Sequence, residues 1–161
     1  MREILFRAKA VNRPPKGTYR TDYENGDWVY GLISDINEYS ALMTNTDGVG
    51  GIDIDKGTVC EYTGVTERSG VDCIKVKGLK IFEDDIVRVL YTDWGSKDEN
   101  DSRTLKEYLR DIAGVGVVKR TEYGEWRILI NDYLYPMDCG KYGYIEVIGN
   151  IHDNPELLEV D

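Results

Sequence analysis

The 161-residue chain reads as a mainly β protein, and three observations carry that reading. Apolar and polar residues alternate along most candidate segments, which is the two-residue period of a half-buried strand. Twelve tyrosines and three tryptophans stand against two phenylalanines, a balance suited to sheets whose rings pack inside while their polar tips reach water or backbone. Helical spacing is clear in only one short segment, near residues 104–113.

Taken in order, Ile4, Phe6, Ala8 and Ala10 share one face of a strand over residues 2–11, with Arg7 and Lys9 on the other. Arg13-Pro14-Pro15-Lys16-Gly17 ends it, because proline removes a ladder donor. Residues 28–33 form a second strand expected to pair with the first, and 34–57 read as short strands or loop around Asn45-Thr46-Asp47-Gly48 and Gly50-Gly51. Residues 58–63 and 71–77 are predicted strands joined as a hairpin through Glu67-Arg68-Ser69-Gly70. Residues 81–91 read as one strand, apolar on both sides.

The polar stretch Lys97-Asp98-Glu99-Asn100-Asp101 is expected to be mobile. The helix follows it. Thr104 and Glu107 have capping-box spacing, and Leu105, Tyr108, Leu109 and Ile112 fall at i, i+3, i+4 and i+7 before Gly114. A helix this short does not persist alone in water, so its stripe must dock on the body or on a partner. Residues 115–120 and 125–131 make a hairpin turning at Glu122-Tyr123-Gly124, and 144–151 supply the last strand.

Length and composition bound the rest. A chain of this size buries roughly 70% of its unfolded surface and needs no staples. Cys60, Cys73 and Cys139 are odd in number and lack C-x-x-C spacing, which suits reduced thiols. No apolar run approaches the ~20 residues of a membrane span, and Arg2 and Glu3 stand where a secretory peptide would turn apolar. The net charge of -10 is uneven: residues 1–20 carry six basic side chains against one acidic, or +5, leaving -15 on the remainder. Such a body repels polyanions, whereas Arg2, Arg7, Lys9, Arg13, Lys16 and Arg20 could meet phosphates or an acidic surface. The simpler reading is that they solvate and protect an edge strand.

No catalytic constellation stands out. His152 is the single histidine, and it reads as an exposed turn residue, with the cysteines as small core hydrophobes. Glu83, Asp84 and Asp85, or Asp53 and Asp55, offer carboxylates for a cation; Asp84 and Asp85, as neighbours on a strand, point to opposite faces, whereas Asp53 and Asp55 share one but read as solvated loop acids. Residues 98–102 fail as a calcium loop, since Arg103 and Leu109 occupy the required glycine and glutamate positions. The glycine runs at 48–51 and 114–116 lack the continuation of a phosphate cradle. No cofactor is implied. Trp94, between a strand and an acidic linker, is a candidate interface anchor, as are Leu105, Tyr108, Leu109 and Ile112.

Three stretches resemble the YopX family of phage and prophage proteins: Arg2-Glu3-Ile4-Leu5-Phe6-Arg7-Ala8; Tyr62-Thr63-Gly64 leading to Lys80-Ile81-Phe82-Glu83-Asp84-Asp85-Ile86-Val87; and Val147-Ile148-Gly149-Asn150-Ile151 before Asn154-Pro155. Asp84 replaces the family's usual glycine, and the longer link from Gly64 to Lys80 makes 71–77 an added strand. The resemblance implies a mainly β, YopX-like domain with small SH3-like barrel character and no catalytic residue, because the family carries no assigned biochemical function. Residues 1–161 form one such domain, or two β lobes, about 1–63 plus the C-terminal strand and 80–151, with a polar helical insertion at 95–114.

The resulting expectation is a non-enzymatic phage accessory protein in the cytoplasm of a bacterial host, binding a protein partner or itself through sheet edges or the helix. A nucleic-acid-binding module using the basic N-terminal segment is the second reading, mimicry of DNA by the acidic surface its variant, and a carboxylate-metal hydrolase the third.

Overall fold

The computed structural model describes residues 3–11, 23–91 and 97–159, and the chain divides into two compact units, Met1–Tyr62 and Thr63–Asp161. The protein is mainly β, with two antiparallel sheets and one α-helix among the described residues.

In the first unit β1 (Phe6–Lys9) pairs with β2 (Trp28–Ile36), which pairs with β3 (Ala41–Asn45), which pairs with β4 (Ile52–Asp53). The first residues of β5 (Cys60–Thr66) lie on the other side of β1. The predicted pairing of the first two strands holds with Phe6 opposite Gly31 and Lys9 opposite Trp28. Ala8, Ala10, Val29, Ala41, Met43, Ile52 and Ile54 make the core. Ile4, assigned to that face, precedes β1 and is 68% exposed. Asn37 closes the β2–β3 turn by accepting from the N–H groups of Tyr39 and Ser40 at 2.8 and 3.0 Å. One bridge, Ala10 to Ile54, joins the end of β1 to the residues after β4, flanked by Val11 N to Asp53 O at 2.9 Å and Asp55 N to Lys9 O at 2.8 Å. The sheet therefore curls, yet neither sheet closes into a barrel.

In the second unit the strand order is β11 (Tyr133–Pro136), β10 (Trp126–Ile130), β9 (Gly114–Arg120), β8 (Asp85–Leu90), β12 (Tyr144–Asn150), β6 (Arg68–Ser69). β7 (Lys80–Phe82) lies beside β5, where the Thr63 hydroxyl donates to the Ile81 carbonyl at 2.7 Å. One face of this sheet packs Val87, Val89, Val118, Ile128, Ile130 and Ile145 with Ile81 and Cys139. Toward the opposite face, Ile74, Leu90 and Tyr144 form a second cluster, covered by Val71, Val76 and by Leu109 and Ile112 of α1 (Leu105–Ile112). The expected hairpin of β9 and β10 is present, with Trp126 opposite Arg120. The helix has its complete capping box, Glu107 accepting from Thr104 N at 2.9 Å and Thr104 accepting from Glu107 N at 3.3 Å.

Several expectations are corrected here. Residues 71–77 are not a strand: apolar residues occur on both of its alternating sides, and the segment instead turns, Ile74 N reaching Val71 O at 3.0 Å, to lay its apolar groups on Leu90 and Tyr144. Glu67-Arg68-Ser69-Gly70 is consequently no hairpin turn, and Arg68 and Ser69 pair with β12. The segment 81–91 splits into β7 and β8 at Asp84, whose φ of 65° is the left-handed conformation glycine favours. Phe82 N donates to Asp85 Oδ2 at 2.8 Å across the turn. β11 was not predicted at all, although Asn131 and Asp132, with φ of 47° and 68°, supply the two-residue turn that specifies a hairpin with β10. The C-terminal strand, placed with the first lobe on sequence, pairs with β8 and β6 in the second unit. Residues 97–101, expected to be mobile, are tied down by Lys97 Nζ donating to the Arg103 carbonyl and by Asp101 paired with Arg103.

Gly116 sits where a Cβ would lie 2.5 Å from both Leu129 O and Ile130 Cγ1. Gly116→Ala should therefore cost roughly 1–3 kcal/mol through overpacking, read as a lower urea midpoint with unchanged slope.

Candidate interaction surfaces

Of the basic N-terminal residues, Arg7 and Lys9 are described, and Arg2, Arg13, Lys16 and Arg20 lie outside the described residues, as does Trp94. Arg7 is not a solvated edge residue: it is 6% exposed, with its guanidinium carbon 4.7 Å from the Trp28 ring centroid. Lys9 Nζ stands 5.4 Å from the same ring. Both cations thus lie against the indole in a cation–π arrangement.

The helix spends its stripe inside its own unit. Tyr108 is buried, Leu109 and Ile112 pack on the Ile74–Leu90–Tyr144 cluster, and the Tyr144 hydroxyl donates to the Leu109 carbonyl at 3.4 Å. Burial pushes the Tyr144 phenol up to about 12. Leu105 alone of the four stays outside, 51% exposed.

Next to this docking lies a charged row. Glu146 on β12 faces Arg88 on β8, at 3.2 Å, and Arg110 reaches down from α1 to 3.0 Å. Glu146 is buried, so both arginines are needed to offset its desolvation. Glu67, just before β6, is buried beside it. Backbone N–H groups of Leu79, Lys77 and Val147 serve its carboxyl, yet burial, with the Glu146 charge nearby, raises its pKa above the ordinary carboxylate range.

A second node surrounds Asp84. Its carboxylate accepts from Lys119 Nζ at 2.7 Å and meets His152 Nε2 at 3.2 Å, while its backbone N–H and carbonyl bond Val118 and Ile151. His152 is therefore not the exposed turn residue expected, its side chain being 16% accessible. Asn150 builds the turn that brings it there by accepting from His152 N and Asp153 N, each at 3.0 Å. No sequence spacing announced this meeting, since 68 residues separate the two side chains.

The other candidates are placed as follows. Asp84 and Asp85 diverge, Asp85 being turned to Phe82 N. Asp55 caps the 3-10 turn Lys56–Thr58 by accepting from Gly57 N at 2.9 Å. Cys60 and Cys139 are buried and Cys73 is half-buried; burial pushes the Cys139 thiol up. Arg103 holds the Asp101 carboxyl down at about 2. An open cleft of about 210 Å³ in the first unit lies among Tyr39, Ser40, Ile54 and Lys56, whose ammonium is engaged by the carbonyls of Asn37 and Glu38 at 2.5 and 2.9 Å.

Exposed apolar groups concentrate on strands. β11, at the edge of its sheet, displays Tyr133 and Leu134, 70% and 55% exposed, and Leu134 is directly opposite the half-buried Leu129. In the first unit β2 carries Tyr30, Leu32 and Ile36 outward.

These features define a mainly β protein of two antiparallel sheets, with buried charge spent on architecture and apolar side chains along an open edge. The YopX protein family matches residues 18–159, and the chain belongs to that family. No curated protein matches it, nor does any solved structure. No helix among the described residues is long and apolar enough to cross a membrane.

Replacing Glu146 by alanine should strand two half-buried guanidinium groups and cost about 1–3 kcal/mol after allowing for their partial exposure. Asp138→Ala, which breaks an exposed pair with Arg68, should leave the melting temperature unchanged; equal losses for the two would contradict this ranking.

Proposed function

We propose that the chain is a non-enzymatic binding module, a phage or prophage accessory protein of the bacterial cytoplasm that associates with protein, a second copy of itself included, through the β11 edge. The single observation that carries the reading is an edge strand with Tyr133 and Leu134 uncovered. An unpaired edge is a template for another chain, and natural sheets usually blunt it with charge, proline or a covering segment. Here Pro136 blunts only the far end. Tyr133 and Leu134 offer side-chain anchors on a strand that has a strand neighbour on one side only among the described residues, the form of strand addition. We read the curl of the first sheet, joined at Ala10 and Ile54, as the small SH3-like character of a recognition scaffold. The burial of Arg7 against Trp28 weighs against phosphate binding by the N-terminal strand.

Sedimentation velocity across a concentration series, with chemical cross-linking in infected cells, tests the proposal. Leu134→Lys should weaken association by roughly tenfold or more, the effect of removing an interface anchor, while leaving the fold intact by circular dichroism. A monomer at every concentration with no cross-linked product, or association untouched by Leu134→Lys, would overturn it.

A further inference from the structure

Glu67 is 6% exposed, and its Oε1 atom has no hydrogen-bond partner among the described residues. Burying a carboxylate with an unserved oxygen is costly, and the cost grows when a like charge is adjacent. Here that charge is Glu146, the neighbouring acid on β12. Its two arginines do not relieve Glu67, because Arg88 from β8 and Arg110 from α1 both direct their ion pairs to Glu146. Arg68, next in the chain, is bonded to Asp138. From the segment beyond, Lys77 is exposed and meets Glu67 through its backbone. A neutral carboxyl escapes the penalty and still accepts from backbone N–H groups.

Those N–H groups belong to Leu79 and Lys77 on one side and Val147 of β12 on the other, and Glu67 N itself donates to Leu79 O at 2.8 Å. Glu67 therefore ties the far end of the irregular segment 71–79 to the sheet. The middle of that segment places Ile74 on Leu90 and Tyr144. It has no strand ladder of its own.

We propose that Glu67 is a proton-operated latch: neutral, it fastens residues 71–79 over the Leu90–Tyr144 cluster, and ionised beside Glu146 it swings to water and lets that segment lift. The direction follows from linkage. A carboxyl whose folded pKa is raised contributes stability that is full below its unfolded value and is lost as pH rises through the folded one. The latch is closed in acid and loosens above the ordinary carboxylate range.

Amide hydrogen exchange on the intact chain, corrected for the base-catalysed intrinsic rate, tests this together with an NMR titration of the Glu67 carboxyl. The opening equilibrium reported by residues 74–79 should rise by roughly tenfold for each unit by which the Glu67 pKa is raised in the closed form, following the Glu67 titration. In Glu67→Gln the opening should not vary with pH. Protection of the segment that stays constant in the wild type while Glu67 titrates would overturn the proposal, as would an unchanged pH dependence in Glu67→Gln. Should that variant not fold, the wild-type comparison decides alone.

Discussion

The pairing of β8 with β12 is the contact on which the second unit depends. Ile86, Val87, Val89 and Leu90 on one strand and Tyr144 and Ile145 on the other are all at most 4% exposed, so both strands are buried on both faces. Everything else in the unit is a cover for one face or the other. β9 and β10 extend the sheet over the first cluster, and α1 with residues 71–76 caps the second. A sheet buried on two sides needs continuous apolar runs, which is why 81–91 looked like one strong strand and why the turn at Asp84 was hidden inside it.

One charged row interrupts this apolar surface, and it shows how function and architecture compete. Arg88 opposite Glu146, with Arg110 added from the helix, costs desolvation that a pair of well-packed aliphatic residues would not. Its return is registry. An α-helix of eight residues holding the sheet by Leu109 and Ile112 could slide along an apolar surface, whereas a guanidinium that must meet one carboxylate fixes its position. Glu67 lies beside that row, and among the described residues no ion pair joins it to a cation. The Arg88–Glu146–Arg110 row thus holds elements in place.

Legibility in the sequence followed period and chain distance. The strands β1, β2, β9, β10 and β12 and the helix were readable because each satisfies a local rule: alternation, a turn of Glu-Tyr-Gly, a capping box. The segment 71–77 misled because alternation by itself does not say whether backbone partners exist, and β12 already has β8 and β6 beside it. β11 escaped because four residues ending in proline look like loop, although Asn131-Asp132 was available as the signal. The meetings of Asp84 with His152, of Glu146 with Arg88 and of Arg7 with Trp28 join side chains 68, 58 and 21 positions apart. No spacing rule reaches so far, and so the charge on Arg7 and the exposure of His152 were both misjudged.

Asp84 stands where the backbone conformation favours glycine. A non-glycine residue in the left-handed region is strained by about 1 kcal/mol or more, which a glycine would avoid. In this chain the aspartate holds φ at 65° and uses all its polar groups: backbone to Val118 and Ile151, carboxylate to Lys119 and His152. The strain is offset by fastening the β7–β8 turn to β9 and to the turn after β12. A glycine would relax the backbone and release two side chains, so the substitution trades local ease for long-range attachment. Through these contacts one residue ties the start of β8 to β9 and to the turn that follows β12.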